Sequence, residues 1–499
     1  MLRLGAAVLL ALLPLPALAQ QPATRIAAVI PEVDRIFADF QLDTNSPGLV
    51  YGIVADGRLV HVRALGVQDL KSKRPVTANS LFGIASMTKA FTALAILKLR
   101  DEGKLSLDAP AETYVPELRG WRYPTADSPR ITVRHLLGHT AGLVDDNPWG
   151  DRQQPLPERE FTAMLRAGVP FSRPPGTGYE YSNFGYALLG RIVGNVSGTP
   201  YRAYVEENIL RPLGMNSTGY EVRDLPLERR AIGYRWENGA WSEEPAMADG
   251  SFGAIGGIQT SANDYARYVA WLLSAWPPRD APETGPVRRA TVRELGQGMN
   301  FMQSVRRPGK SGADACRLAY GYGKGMRVAV DCDVGTALSH SGGYPGYGSY
   351  VLLLPEHNVG IFAFSNRTYN GSSGQVWDVA VALHKAGALT GRTLPISSHL
   401  ASAYAAAGAI YRAGDVGAAR GRLAMNFLMD RSEKNWRTSL GDLKSAVGAC
   451  ATDSPVNPTG NLSGTFTWRC ERGRINGSVL LGPTPTPSIQ ELRLAVATP

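Results

Sequence analysis

Two pairs of strand-like segments, separated by about 280 residues, constrain this chain more than any other feature. Leu49 to Val54 and Leu59 to Leu65 flank Ala55-Asp56-Gly57, which reads as a hairpin with an Asp-Gly turn. Tyr347 to Leu354 and Val359 to Ser365 form the second pair, joined by Pro355-Glu356-His357-Asn358. Between the pairs lie helical patterns at Ser86 to Glu102, Val133 to Leu137, Phe184 to Val196 and Ala262 to Ala275. A further one spans about Thr24 to Leu42 before them, and another about Gln375 to Ala386 after them. Strands at both ends with helices between predict one α+β domain whose sheet mixes N- and C-terminal strands.

That domain is expected over residues 20–387, followed by a linker at 388–398 that contains Pro395 and few large apolar residues. Residues 399–499 change in composition. Ala401 to Leu428 is Ala-rich and helical, and Gly464 to Trp468 and Val479 to Leu481 are strand-like, so a small C-terminal α+β accessory domain is expected. Apolar residues are 44% of the 499 and charged residues 19%, which excludes global disorder and allows a sizeable core. The net charge of +9 is dispersed in pairs such as Arg288-Arg289 and Arg306-Arg307. No nucleic-acid partner is implied; mild attraction to cell-envelope material is consistent with the charge.

The first nineteen residues read as a cleavable secretory signal: Arg3, an apolar stretch from Leu4 to Leu15, then Ala17-Leu18-Ala19. No segment offers the 18 uninterrupted apolar residues of a membrane span. A secreted or periplasmic location follows, and the four cysteines suit it. Cys316 and Cys332 flank an apparent hairpin, Arg317 to Asp331, and Cys450 and Cys470 lie near the C-terminus. Two local disulfides are expected rather than a metal site, although four cysteines allow three pairings.

Several motifs are missing or incomplete. There is no Gly-x-Ser-x-Gly elbow and no Gly-x-Gly-x-x-Gly cofactor turn. Gly309-Lys310-Ser311 mimics the end of a P-loop, but Ser304 stands where the first glycine is required. His135 and His139 share the spacing of a zinc helix, yet Leu136 replaces the glutamate base and no third ligand is evident. Neither metal nor cofactor is therefore expected.

Ser86-Met87-Thr88-Lys89 opens a long apolar helix, and Lys89 is the only one of ten lysines with a serine three residues before it. Positions i and i+3 share a helix face, so Lys89 would project beside the Ser86 hydroxyl. A helix N-terminus adds free N–H groups and the positive end of the dipole. A nucleophile needs that combination of nearby base and donors. Tyr181-Ser182-Asn183 follows the turn Pro174-Pro175-Gly176-Thr177-Gly178, and His340-Ser341-Gly342-Gly343 precedes the penultimate strand.

The order Ser-x-x-Lys, Tyr-x-Asn, then a basic residue before Ser-Gly resembles the β-lactamase and penicillin-binding-protein superfamily of serine hydrolases. Gaps of about 95 and 160 residues are most similar to its class C branch, which includes D,D-peptidases, D-aminopeptidases and esterases. His135-Leu136-Leu137-Gly138-His139-Thr140-Ala141-Gly142-Leu143 and Gly256-Gly257-Ile258-Gln259-Thr260-Ser261-Ala262 support it. The resemblance implies a β-lactamase/transpeptidase-like domain, an antiparallel sheet flanked by helices with an all-helical lobe. It also implies that Ser86 is the acylated nucleophile and Lys89 the neighbouring base or relay. Tyr181 would be a phenolate-like partner helped by the positive charge of Lys89 and His340, with either Tyr181 or Lys89 as base at each step. Asn183 would bind the substrate amide and Lys89. His340, Ser341, Gly342 and Gly343 would bind substrate, with the N–H groups of Ser86 and Gly343 as oxyanion hole.

His340 stands where most β-lactamases carry lysine, and a histidine is mostly neutral at pH 7. The expected substrate is therefore a D-amino-acid peptide, related amide or small ester. The alternatives are a true class C-like β-lactamase and a non-catalytic peptidoglycan-binding protein on a hydrolase scaffold.

Overall fold

The computed structural model describes residues 22–310, 316–392 and 394–497; the expected signal, 1–19, lies outside them. The described residues form two compact units, those within 22–276 and 283–390, and those within 391–497 and 277–282.

In the first unit the hairpin of β1 (Gly48–Ala55) and β2 (Arg58–Gly66) turns at Asp56 and Gly57. Both turn residues have positive φ, +50° and +75°, as a type I′ turn demands. The later strands are β3 (Asn300–Arg306), β4 (Arg317–Tyr322), β5 (Arg327–Asp331), β6 (Gly335–Tyr344), β7 (Tyr347–Leu354) and β8 (Val359–Ser365). They complete an eight-stranded antiparallel sheet in the order β2-β1-β8-β7-β6-β5-β4-β3. β1 pairs directly with β8, from Leu49 opposite Ser365 to Ala55 opposite Val359, so the two ends of the unit meet inside one sheet.

Alternation along β1 feeds two cores. Val50 and Val54 face one; Leu49, Tyr51, Ile53 and Ala55 face the other. The second face is covered by α1 (Pro22–Asp43) and, at the end of the unit, by the helix Ser373–Lys385. Phe37 of α1 stacks on Tyr51 with ring centroids 4.0 Å apart. The first face carries the helical lobe, built on α2 (Thr88–Asp101), α3 (Val133–Leu137), α4 (Asn183–Ser197) and α5 (Ala262–Leu273). α2 is apolar nearly all round because it runs through the middle of this lobe; eleven of its fourteen residues are buried, Lys89 among them.

β3 and β6 were not legible as strands. β3 is a bulged edge strand of mostly exposed, polar residues, and β6 contains three glycines, so neither shows an apolar alternation. The disulfides pair locally, Cys316 with Cys332 around the β4–β5 hairpin and Cys450 with Cys470.

In the second unit the expected helix from 401 to 428 is instead interrupted. A helix covers Ser398–Ala413 and stops at Gly414, which has φ +68° and caps it; a 3₁₀ turn and one short helical turn follow. A further helix, Glu433–Val447, precedes a sheet in which Ser463–Cys470, Gly473–Leu481 and Ile489–Val496 run antiparallel in sequence. Trp468 fills its core against Tyr411 and Phe466. Among the described residues no helix is long and apolar enough to cross a membrane.

Candidate active site

Ser86 sits in a single 3₁₀ turn, Ala85–Met87, that leads into α2. The residues before it are pinned: Phe82 and Gly83 pair with Thr260 and Gln259, the Ile84 N–H donates to the Ile258 carbonyl at 3.0 Å, and the Ser349 hydroxyl donates to the Ile84 carbonyl at 2.8 Å. Between this anchor and the helix, Ala85 takes φ +46°, a left-handed conformation that costs a non-glycine residue roughly 1–2 kcal/mol. The chain therefore reverses sharply just before Ser86, which remains 8% exposed.

Lys89, one turn on, is fully buried. Its Nζ lies 3.0 Å from Ser86 Oγ, 2.7 Å from Asn183 Oδ1 and 3.0 Å from the Ile255 carbonyl. The last two groups only accept hydrogens, so a neutral Lys89 amine gives them its two hydrogens and turns its lone pair to the Ser86 hydroxyl. Burial pushes the Lys89 pKa down to about 7, with Arg327 adding to the shift and Asp151 and Asp146 opposing it. A base that is largely neutral near pH 7 thus faces the nucleophile.

Asn183 makes the expected contact with Lys89. It is fully buried, its oxygen holds Lys89, and its Nδ2 donates to Asn147 Oδ1 at 3.2 Å. It positions Lys89. Asp146 in turn accepts from the Asn183 and Phe184 N–H groups at 2.6 and 2.8 Å, capping the start of α4.

Tyr181 lies beside Ser86, which draws its pKa down, and Lys89 Nζ lies 5.0 Å from its ring centroid. The expected phenolate is not supported. Burial pushes the Tyr181 pKa well above its ordinary value, Tyr322 and Tyr179 add to this, and the opposing pull of Ser86 and Arg327 is weaker. Nor does His340 supply charge. It is buried, its Nδ1 donates to the Ser341 carbonyl at 2.6 Å, and its Nε2 accepts from the Tyr322 hydroxyl at 3.0 Å. Burial first, then Arg327 and Lys89, hold it neutral, far below the usual imidazole pKa. Both ring nitrogens of His340 are thus taken up by partners within the protein. His139 closes the box behind Tyr181, with centroids 4.3 Å apart, and its Nδ1 accepts from the Ser182 N–H at 3.0 Å. It lies beyond the end of α3, with φ +55°, while His135 accepts from the Thr132 N–H inside a capping box, so the two histidines do not form a zinc face.

The other wall of the site is the free edge of β6. Its pairing with β5 ends at Ser339 opposite Arg327, whereas its pairing with β7 continues to Tyr344. Alternate N–H groups beyond Ser339 therefore point off the ladder. Ser341 and Gly343 are half-buried on this stretch and Gly342 is buried. A methyl group on Gly342 would run into the Ile84 carbonyl and the Ser349 hydroxyl, the pair that anchors the Ser86 turn. Gly342→Ala should lower kcat/KM by about 10²-fold or more, because a shift of about 1 Å at the nucleophile is enough for that. Steady-state kinetics with a thermal melt will show it.

Arg327 had no motif to announce it. It is largely buried beside this edge, with Nη1 3.3 Å from the Ser341 hydroxyl. Its Nε has no hydrogen-bond partner, and among the described residues no carboxylate pairs with it; tyrosines surround it. Its positive charge thus stands at the β6 edge with no carboxylate among the described residues to neutralise it.

The Beta-lactamase family model matches residues 33–386. The chain belongs to this family. Among its relatives, penicillin-binding protein 4* of Bacillus subtilis (strain 168) is 28% identical over 326 residues, covering 62% of this chain and 66% of that protein. The chain thus spans less than two thirds of the Bacillus protein's own length. The D-alanyl-D-alanine-carboxypeptidase/endopeptidase AmpH of Escherichia coli (strain K12) is also 28% identical, over 363 residues, covering 69% of this chain and 88% of that one. Among solved structures, the octameric penicillin-binding protein homologue from Pyrococcus abyssi superposes with a TM-score of 0.59 at 21% identity, covering 93% of this chain and 99% of that one. The fold is therefore that of the β-lactamase/transpeptidase type, with the antiparallel sheet and helical lobe described above.

Proposed function

We propose that this chain is an exported serine hydrolase that works through an acyl-enzyme on Ser86 and cleaves a D-amino-acid peptide or related amide ending in a free carboxylate. The observation that carries it is the buried Lys89, 3.0 Å from Ser86 Oγ with its other two partners restricted to accepting. Neutral Lys89 takes the Ser86 proton as Oγ bonds to the substrate carbonyl carbon. The N–H groups of Ser86 and Gly343 receive the oxyanion, each worth about 3 kcal/mol. Tyr181, still protonated and beside Ser86, gives its proton to the departing nitrogen as the C–N bond breaks, and the Lys89 ammonium restores it. Water then repeats the attack on the ester and frees Ser86.

Arg327 beside Ser341 favours a carboxylate on the leaving residue over a neutral ester. Export is supported by the apolar leader of residues 1–19 and by the two disulfides. Residues 399–499 are read as an accessory domain of the enzyme, joined through the linker at 388–398. A true β-lactamase is the second reading. Neutral His340 weighs against it, and nitrocefin turnover tests it.

The substrate class is tested with a carboxylate-ended D-alanyl amide and its C-terminal methyl ester. Arg327→Gln should lower the ratio of their kcat/KM values by roughly 30-fold or more, the scale of a broken desolvated charge pair. An unchanged ratio would remove the carboxylate from the assignment.

A further inference from the structure

A second charged group that acylation does not use lies beside the site. Asp151, 6% exposed, accepts a hydrogen bond from the Tyr369 hydroxyl at 3.2 Å, and among the described residues no other donor reaches its carboxylate. Its neighbour Gly150 packs against the Asn183 side chain, while the ring of Tyr369 lies against Gly343. The carboxylate is thus held between the Lys89–Asn183 pair and the free edge of β6. Asp146 nearby is different, since both its oxygens cap α4. A buried carboxylate with one hydroxyl partner is poorly satisfied. Burial pushes its pKa up to about 7, against the pull of Lys89 and Tyr369.

At the other end of the same edge Arg327 reaches Ser341. Ser341 and Gly343 are two residues apart on one face of β6, about 7 Å along the strand. Gly342, between them, abuts Ile84 of the turn that carries Ser86. The edge therefore presents a cation at one end and an anion at the other, with the nucleophile turn in the middle.

We propose that Asp151 is a specificity-determining residue that receives the free α-ammonium group of the acyl-donor residue, so that the preferred substrate is an unblocked, zwitterionic D-amino-acid dipeptide; this rests on the Ser86 acyl-enzyme reading above. An α-amino group titrates near 8 and is mostly charged at neutral pH. A charge-assisted hydrogen bond from it would give Asp151 the partner it lacks.

The test uses the full chain and a neutral fluorophosphonate that labels Ser86. D-alanyl-D-alanine competes with the label, and so does propionyl-D-alanine, which differs only in having hydrogen where the ammonium stands. In the wild type the dipeptide should protect at a concentration at least tenfold lower than propionyl-D-alanine does. In Asp151→Asn that preference should fall below threefold. A wild-type preference below threefold overturns the proposal whatever the variant does. Retention of the full preference in Asp151→Asn overturns it too, because a carboxylate that merely tunes Lys89 would change both ligands alike. Failure of the label to reach Ser86 in the wild type is a separate result and sinks the acyl-enzyme reading itself.

Discussion

Replacing Ser86 with alanine should abolish turnover of every substrate the protein cleaves, lowering kcat by about 10⁴-fold or more while leaving the fold intact. The size follows from the site's construction. Lys89, Tyr181 and the β6 edge all converge on one hydroxyl, and the neighbouring buried groups, Asn183 and His139, serve to hold these in place rather than to offer another nucleophile. Ser86 is also small and nearly buried, so its loss leaves little void. An unchanged thermal melt with lost activity is the expected pair of results. Activity within tenfold of wild type would contradict the assignment.

The second large effect belongs to Lys89. Because burial lowers its pKa to about 7, the amine is neutral above that pH and protonated below it, and only the neutral form can take the Ser86 proton. For a substrate whose α-amine is blocked, kcat/KM should rise with pH through about 7 and then level. At pH 5 it should stand about a hundredfold below the plateau, since two units below a pKa leave about 1% of a base deprotonated. Tyr181 keeps its proton far above this range, so it adds no falling limb below pH 10. Lys89→Arg keeps a cation but never deprotonates, and should lose about 10²–10⁴ in kcat/KM. A flat pH profile from 5 to 9 would refute the role of Lys89 as base.

Local rules made much of this legible. The Asp56-Gly57 turn and the pairs of apolar strands foretold a sheet joining the two ends of the domain, and β1 does pair with β8. Ser86 and Lys89 were readable because three residues on a helix bring side chains together regardless of the rest of the fold. The ionisation of Tyr181 was not readable. It depends on burial among Tyr179, Tyr322 and His139, which arrive from the lobe and from β4, and no string of residues carries a local dielectric. The same limit hid the inward hydrogen bonds of His340 to Tyr322 and Ser341. Arg327 and Asp151 were missed for another reason: each is a lone residue without a motif, and each gains meaning only from what β6 and Tyr369 set beside it. The helix expected over 401–428 failed at Gly414, a left-handed cap that the alanine-rich pattern outweighed.

The most direct measurement is covalent labelling of the wild-type protein with a fluorophosphonate and, separately, a fluorescent penicillin, followed by intact mass and peptide mapping. One adduct per chain, located at Ser86 and forming faster as the pH rises through about 7, is the expected result. A folded protein that takes neither probe, or takes it at another serine, would show that Ser86 is not the nucleophile.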